Sequence, residues 1–159
     1  MIFAGSLERN ATDEYRRLIK IAQIADEENF SGFWLPERHY TQFGGPYPKP
    51  QLLLAALATR TKRISLRAGS IVAPLHDPLS IAEDLCVLDN LSNGRVEAAF
   101  ASGWHPNDFA SRPAAYAERR PITLARAQDV THLWSGGSLQ RENGLGESVA
   151  VSIFPRPCH

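Results

Sequence analysis

The chain has 159 residues, enough for one ordinary domain but short of the roughly 250 that a closed eight-fold α/β barrel takes. Lys plus Arg number 17 and Asp plus Glu 17, so no uniform positive field exists to gather a nucleic acid; with 43% hydrophobic residues the chain is built for a buried core. No apolar run reaches the ~20 residues of a bilayer-spanning helix, MIFAGSLERNATDEY carries no signal-peptide core, and Cys86 and Cys158 are too few for a disulfide framework, so a reduced, cytoplasmic protein is expected.

MIFAG is short and apolar and reads as a first strand. Thr12 follows as an N-cap, with Asp13 and Glu14 in an acidic first turn. Leu18, Ala22 and Ala25, joined by Ile21 and Ile24, recur at helical steps as far as Phe30. Phe33 to Leu35 is a brief strand ended by Pro36. Glu37 to Pro50 holds two glycines, three prolines and several aromatic rings, the composition of a structured loop. Gln51 to Arg60 predicts a helix and Ile64 to Val72 a strand, whose interior Gly69 marks a bulge or a close backbone approach. Asp77 and Pro78 open a helix with Ile81, Leu85 and Leu88 on one face, and Asn93-Gly94 closes it. Arg95 to Ser102 reads as a fourth strand, Gly103 to Ala110 as an aromatic loop and Glu118 to Trp134 as a fourth helix that tolerates Pro121 only in its first turn. Beyond Trp134, turn signals at Ser135-Gly136-Gly137 and Asn143-Gly144 surround SLQRE and SVAVSIF, a hairpin pattern. The prediction is an α/β fold with a parallel sheet: four β-α units over residues 1–134, then a hairpin and tail over 135–159.

In such folds the loops after the strand C-termini share one rim, where ligands bind. Glu37, Arg38, His39 and Tyr40 lie after the second strand, His76 and Asp77 after the third, and Trp104, His105 and Asp108 after the fourth. Single histidines there most often cap helices, but three of the five on one rim point to a site. Two chemistries are open. His39, His76 and His105 with Glu37, Asp77 or Asp108 could ligate a metal for hydrolysis, although no HxH or HExxH spacing is present. Alternatively, Gly69-Ser70 could let the backbone approach a planar organic cofactor walled by Trp34, Phe100 and Trp104.

The segments LPERHYTQFGGPYPKP, RAGSIVAPLHDPLSIAEDLCVLDNLSNGR and FASGWHPNDF, in this order, resemble the bacterial luciferase-like flavin monooxygenases, above all the branch of peptide and polyketide assembly lines. The resemblance runs from about Met1 to Pro157. It implies a (β/α)8 TIM-type barrel, here represented by its first four units. It also implies reduced FMN from a separate flavin reductase, used with O2 to oxygenate a small or carrier-tethered substrate in secondary metabolism. By position it implies a carboxylate near the flavin at Glu37 and catalytic roles for Glu37, Arg38 and His39. A non-proline cis peptide is implied at Gly69-Ser70, and cofactor contacts at Glu37, Gly69, Ser70, Ala101, Ser102, Trp104 and His105; no metal is implied. Two positions depart from the pattern: Arg38 replaces the histidine that luciferase uses, and Ser102 replaces the arginine that binds the FMN phosphate. A half-barrel leaves strand edges and an inner face open, so a C-terminal half or a homodimer mate is a further expected partner. The remaining alternative is a flavin-binding remnant without turnover.

Overall fold

The computed structural model describes residues 10–41 and 44–158; the predicted first strand, MIFAG, lies outside them. The order is α1 (Ala11–Glu27), β1 (Gly32–Leu35), α2 (Pro50–Ala58), β2 (Ser65–Val72), α3 (Pro78–Ser92), β3 (Val96–Ala101), α4 (Arg119–Trp134), β4 (Leu139–Glu142) and β5 (Ser148–Val151). Strands β1, β2 and β3 form a parallel sheet in that order, and β4 and β5 form a separate antiparallel hairpin.

Helix α1 is capped by Asn10, whose side chain accepts from the Thr12 amide at 2.9 Å, and not by Thr12 as predicted. It ends three residues before Phe30, because Asn29 turns the chain at φ 59°. The predicted caps of α3 hold: Asp77 accepts from the Leu79 amide, and Asn93 adopts the left-handed conformation. Pro121 sits in the first turn of α4, where the amide it lacks has no intrahelical partner anyway.

Alternation along the strands separates two faces. Phe33, Leu35, Leu66 and Ala68 point outward and are buried under Leu18, Ala22, Leu54, Leu57, Ile81 and Leu85 from the helices. On the other face, register aligns Trp34, Arg67 and Glu97 across the three strands. Arg67 donates to both Glu97 oxygens, at 2.8 and 3.1 Å, and its guanidinium lies 5.3 Å from the Trp34 ring centroid. Glu97 is about half exposed, so this pair contributes at most about 1 kcal/mol.

The end of the sheet opposite the candidate rim is closed by polar side chains. Asp26 accepts from the amides of Lys62, Arg63 and Ile64 at 2.7 to 2.8 Å. Burial pushes its carboxyl up, but those three amides and the Arg63 charge outweigh it and hold the pKa below the ordinary value. Arg95 donates to the carbonyls of Ala58, Thr61 and Ile64, sealing the C-terminus of α2 against the sheet. Strand β3 is one edge of the described sheet, with Glu97 and Ala98 exposed. An apolar groove of about 250 Å³ runs beside it between Leu85, Phe100, Val130 and Trp134.

Candidate active site

The site is built from the three loops that leave β1, β2 and β3. Pro36 ends β1, and Glu37 turns inward, 2% exposed. Its Oε2 accepts from the Val72 amide at 2.7 Å, which ties the first loop to the end of β2. Its Oε1 receives two imidazoles, His39 Nε2 and His76 Nε2, each at 2.5 Å. Burial by itself would push this carboxyl up; the bonds from His39 and His76, the His76 charge and the Val72 amide outweigh it and hold the pKa at about 2. Glu37 is therefore a carboxylate at neutral pH. A carboxylate only accepts, so both imidazoles must carry a proton on Nε2.

The next loop is also fixed. Arg38 donates its amide to the Tyr47 carbonyl at 3.1 Å, and its side chain packs on Gly44, where a Cβ would lie 2.8 Å from Nε. Gly44 has φ +86°, so the turn and the close contact both require glycine. The Tyr15 hydroxyl donates to the Pro46 carbonyl at 2.7 Å, fastening the loop to α1.

A cavity of about 340 Å³ opens beside these loops, lined by Arg38, Ser70, Val72, Ala101, Ser102 and Trp104, with Gly103 and Asp108 completing the wall. Four residues chosen from the sequence as cofactor contacts, Ser70, Ala101, Ser102 and Trp104, thus converge, together with Arg38. Glu37 and His39 do not line it; they form a hydrogen-bonded pair beside it, Glu37 buried and His39 partly so. His105 is also absent from the lining: its Nδ1 accepts from the Asn107 amide at 3.2 Å, and its ring stacks edge-on against Trp104 at 5.1 Å.

The Gly69-Ser70 peptide is cis, and the β2–β3 register shifts between Gly69 and Ile71. The ring that occupies the space over Gly69 belongs to Trp34: a Cβ on Gly69 would lie 1.9 Å from Trp34 Cε3. A Gly69→Ala change is expected to displace the indole and cost about 1 to 3 kcal/mol, read as a lower urea midpoint; an unchanged midpoint would mean the indole yields freely.

Two residues of the cavity wall each carry a buried atom without a hydrogen-bond partner, Arg38 Nε and Asp108 Oδ1. Asp108 is 8% exposed, so its acceptor cannot rely on bulk water. One unused donor, one unused acceptor, small residues and an indole edge suit a flat polar heteroaromatic ligand, and a flavin fits that description. The metal alternative is also partly assembled: one ligand atom each from Glu37, His39 and His76 lie within 4.8 Å of one another, while His105 is not in that cluster. Both imidazole nitrogens, however, already contact the same carboxylate oxygen at hydrogen-bond distance.

Comparison with known proteins decides the family. The sequence profile of the luciferase-like monooxygenase family matches residues 1–158. The chain belongs to the luciferase-like monooxygenases. Among relatives, the alkanal monooxygenase alpha chain of Photorhabdus laumondii is 35% identical over 101 residues, covering 62% of this chain and 27% of that one. The oxygenase component of the flavin-dependent trigonelline monooxygenase of Acinetobacter baylyi is 36% identical over 95 residues, covering 60% and 26%. In structure, monooxygenase RslO1 of Streptomyces bottropensis superposes with a TM-score of 0.88 at 28% identity, over 98% of this chain and 47% of that one. This luciferase-like chain thus spans less than half of the RslO1 chain and about a quarter of the two relatives. The α/β fold with a parallel sheet matches that of its structural neighbours.

Two features of the site escaped sequence reading. Asp108 stood only among candidate metal ligands, and Arg126, which lies against the His76 loop, carried no local signal. Burial decides the first and a contact fifty positions away the second.

Proposed function

We propose that this luciferase-like chain binds reduced FMN in the cavity between the β1, β2 and β3 loops and contributes that half of the site to a monooxygenase. The observation that carries the reading is the unpartnered Asp108 Oδ1 and Arg38 Nε on a wall whose other members are small or aromatic. When bound, reduced flavin would supply the electrons that activate O2, chemistry that side chains lack.

The chain's own residues would do the rest. Ser70, Ala101 and Ser102 present backbone and hydroxyls to the cofactor, and Gly69 sets the path of the cis step beside them. Trp104, with His105 edge-on against it, supplies an aromatic edge at the mouth of the cavity. Glu37 orients His39 and His76 with their Nε2 protons fixed on its Oε1, which sets the direction each ring faces. Arg38, standing where luciferase has histidine, donates a hydrogen bond to the cofactor or substrate.

In this reading residues 1–134 correspond to four β-α units of the barrel, and residues 135–159 to a hairpin excursion and tail. The remaining units of a (β/α)8 barrel, from a longer chain, a second polypeptide or a homodimer mate, would cover the β3 edge. The substrate would be a small or carrier-tethered compound of secondary metabolism. The trigonelline enzyme's description as an oxygenase component supports a separate flavin reductase. Both cysteines are free, in keeping with a cytoplasmic setting.

The test is anaerobic titration with reduced FMN followed by flavin fluorescence, then O2 uptake with a reductase. Saturable binding is expected. Binding without uptake over a panel of substrates would favour a flavin-binding remnant. No flavin binding, but stoichiometric zinc retention lost in His39→Ala and His76→Ala, would favour the metal reading.

A further inference from the structure

The loop between β2 and α3 carries His76 at the end of a 3₁₀ turn, Ala73–Leu75. Its side chain is committed to Glu37, but a side chain can hold that geometry only if its backbone is held. The turn's own hydrogen bond, from the His76 amide to the Ala73 carbonyl at 3.1 Å, leaves the His76 carbonyl outside the turn. Arg126 reaches both carbonyls from the middle of α4: its Nη1 donates to the Ala73 oxygen at 2.7 Å and closely to the His76 oxygen. The guanidinium is half-buried, so these bonds are poorly replaced by water.

We propose that Arg126 is a positioning residue, clamping the backbone at both ends of the 73–76 turn so that the His76 imidazole stays on the Glu37 carboxylate. The hydrogen bonds of Arg126 go to the Ala73 and His76 carbonyls, and it is not among the residues that line the cavity, so its route to the site is through His76. It bridges the fourth helix to a loop on the far side of α3 in sequence, so the placement of α4 sets the geometry of the histidine pair. The charged groups around it are Asp77, Asp129, Arg112 and Arg141; those that act on Asp84 beside His76 include Lys49. The two arginines among these groups oppose the two aspartates, so neighbouring charge does not fix the guanidinium in place; the two carbonyl acceptors give the physical reason for its position. The consequence for turnover rests on the monooxygenase reading; the geometry itself does not.

The test uses the flavin-free chain labelled with 15N-histidine. The Nε2 protons of His39 and His76, each in a 2.5 Å bond to a carboxylate, should resonate far downfield and exchange slowly. In Arg126→Met the His76 proton is expected to exchange at least about tenfold faster while the His39 proton is unchanged. Arg126→Lys, which keeps the cation and its N–H donors on a shorter side chain without the planar fork, should give an intermediate rate and serves as the measurement if the methionine variant does not fold. An unchanged His76 proton in either folded variant, or equal acceleration of both histidines, would overturn the proposal in favour of a purely structural arginine. Since no flavin is present, failure here is distinct from failure of the cofactor reading.

Discussion

Replacing Glu37 with alanine is expected to destabilise the protein by about 3 to 5 kcal/mol, the largest single-site effect in the rim loops. The carboxylate is 2% exposed and receives three donors, the Val72 amide and the Nε2 protons of His39 and His76. Truncation leaves the buried Val72 amide and two partly buried imidazoles without an acceptor, and each such group costs about 1 to 3 kcal/mol. The same residue sets an acid dependence. Its pKa lies near 4.5 in an ordinary setting and about 2 in the fold. The unfolded chain therefore takes up the proton first as pH drops. The stabilisation is complete above about pH 4.5 and is lost as pH falls through about 2, a contribution of roughly 3 kcal/mol. Asp26 and Glu97, also held below their ordinary values, act in the same direction. Urea midpoints of Glu37→Gln at pH 7 and pH 3 isolate the share of Glu37: the variant should be less stable at pH 7 and should lose less between the two. Parallel acid dependence in the two proteins would contradict the assigned carboxylate.

Asp108→Ala is expected to weaken reduced-FMN binding by about 10- to 100-fold without lowering the melting temperature, the change in affinity that one charge-assisted hydrogen bond carries. In the free protein Oδ1 is buried and unpartnered, so removing it takes away a desolvated acceptor and no hydrogen bond at that atom. In the complex a ligand N–H or O–H would use it. Asp108→Asn retains an oxygen acceptor and should lose less. Fluorescence titration with thermal melting reads both quantities; unaltered affinity in the alanine variant would remove Asp108 from the proposed binding set.

Much of the fold was legible because it is written in local rules. The Asp77-Pro78 start and Asn93-Gly94 stop of α3, the break at Pro36 and the hairpin turn at Asn143 depend on φ, a missing amide or a capping side chain within a few residues. The first cap was misplaced by two residues, since Asn10 and Thr12 are both competent caps and only the path of the chain selects between them. In the site, Ser70, Ala101, Ser102 and Trp104 were reachable from motif resemblance, and they do meet at one cavity. The joining of His39 to His76 was foreseen only as shared placement on a rim. The withdrawal of His105 from that pair, toward Trp104, was not foreseen.

What the sequence determined by itself is the alternation of strands and helices, the family and the set of polar residues delivered to one rim, because periodicity, caps and motifs act over short spans. Tertiary structure alone decided which of those residues share an oxygen, which acceptor is left unused and which arginine holds the histidine loop. Glu37 meets Val72 and His76 across more than thirty positions, and Arg126 meets His76 across fifty. Distances of that kind, and the burial that gives them their strength, depend on how the helices pack against the sheet and on no pattern along the chain.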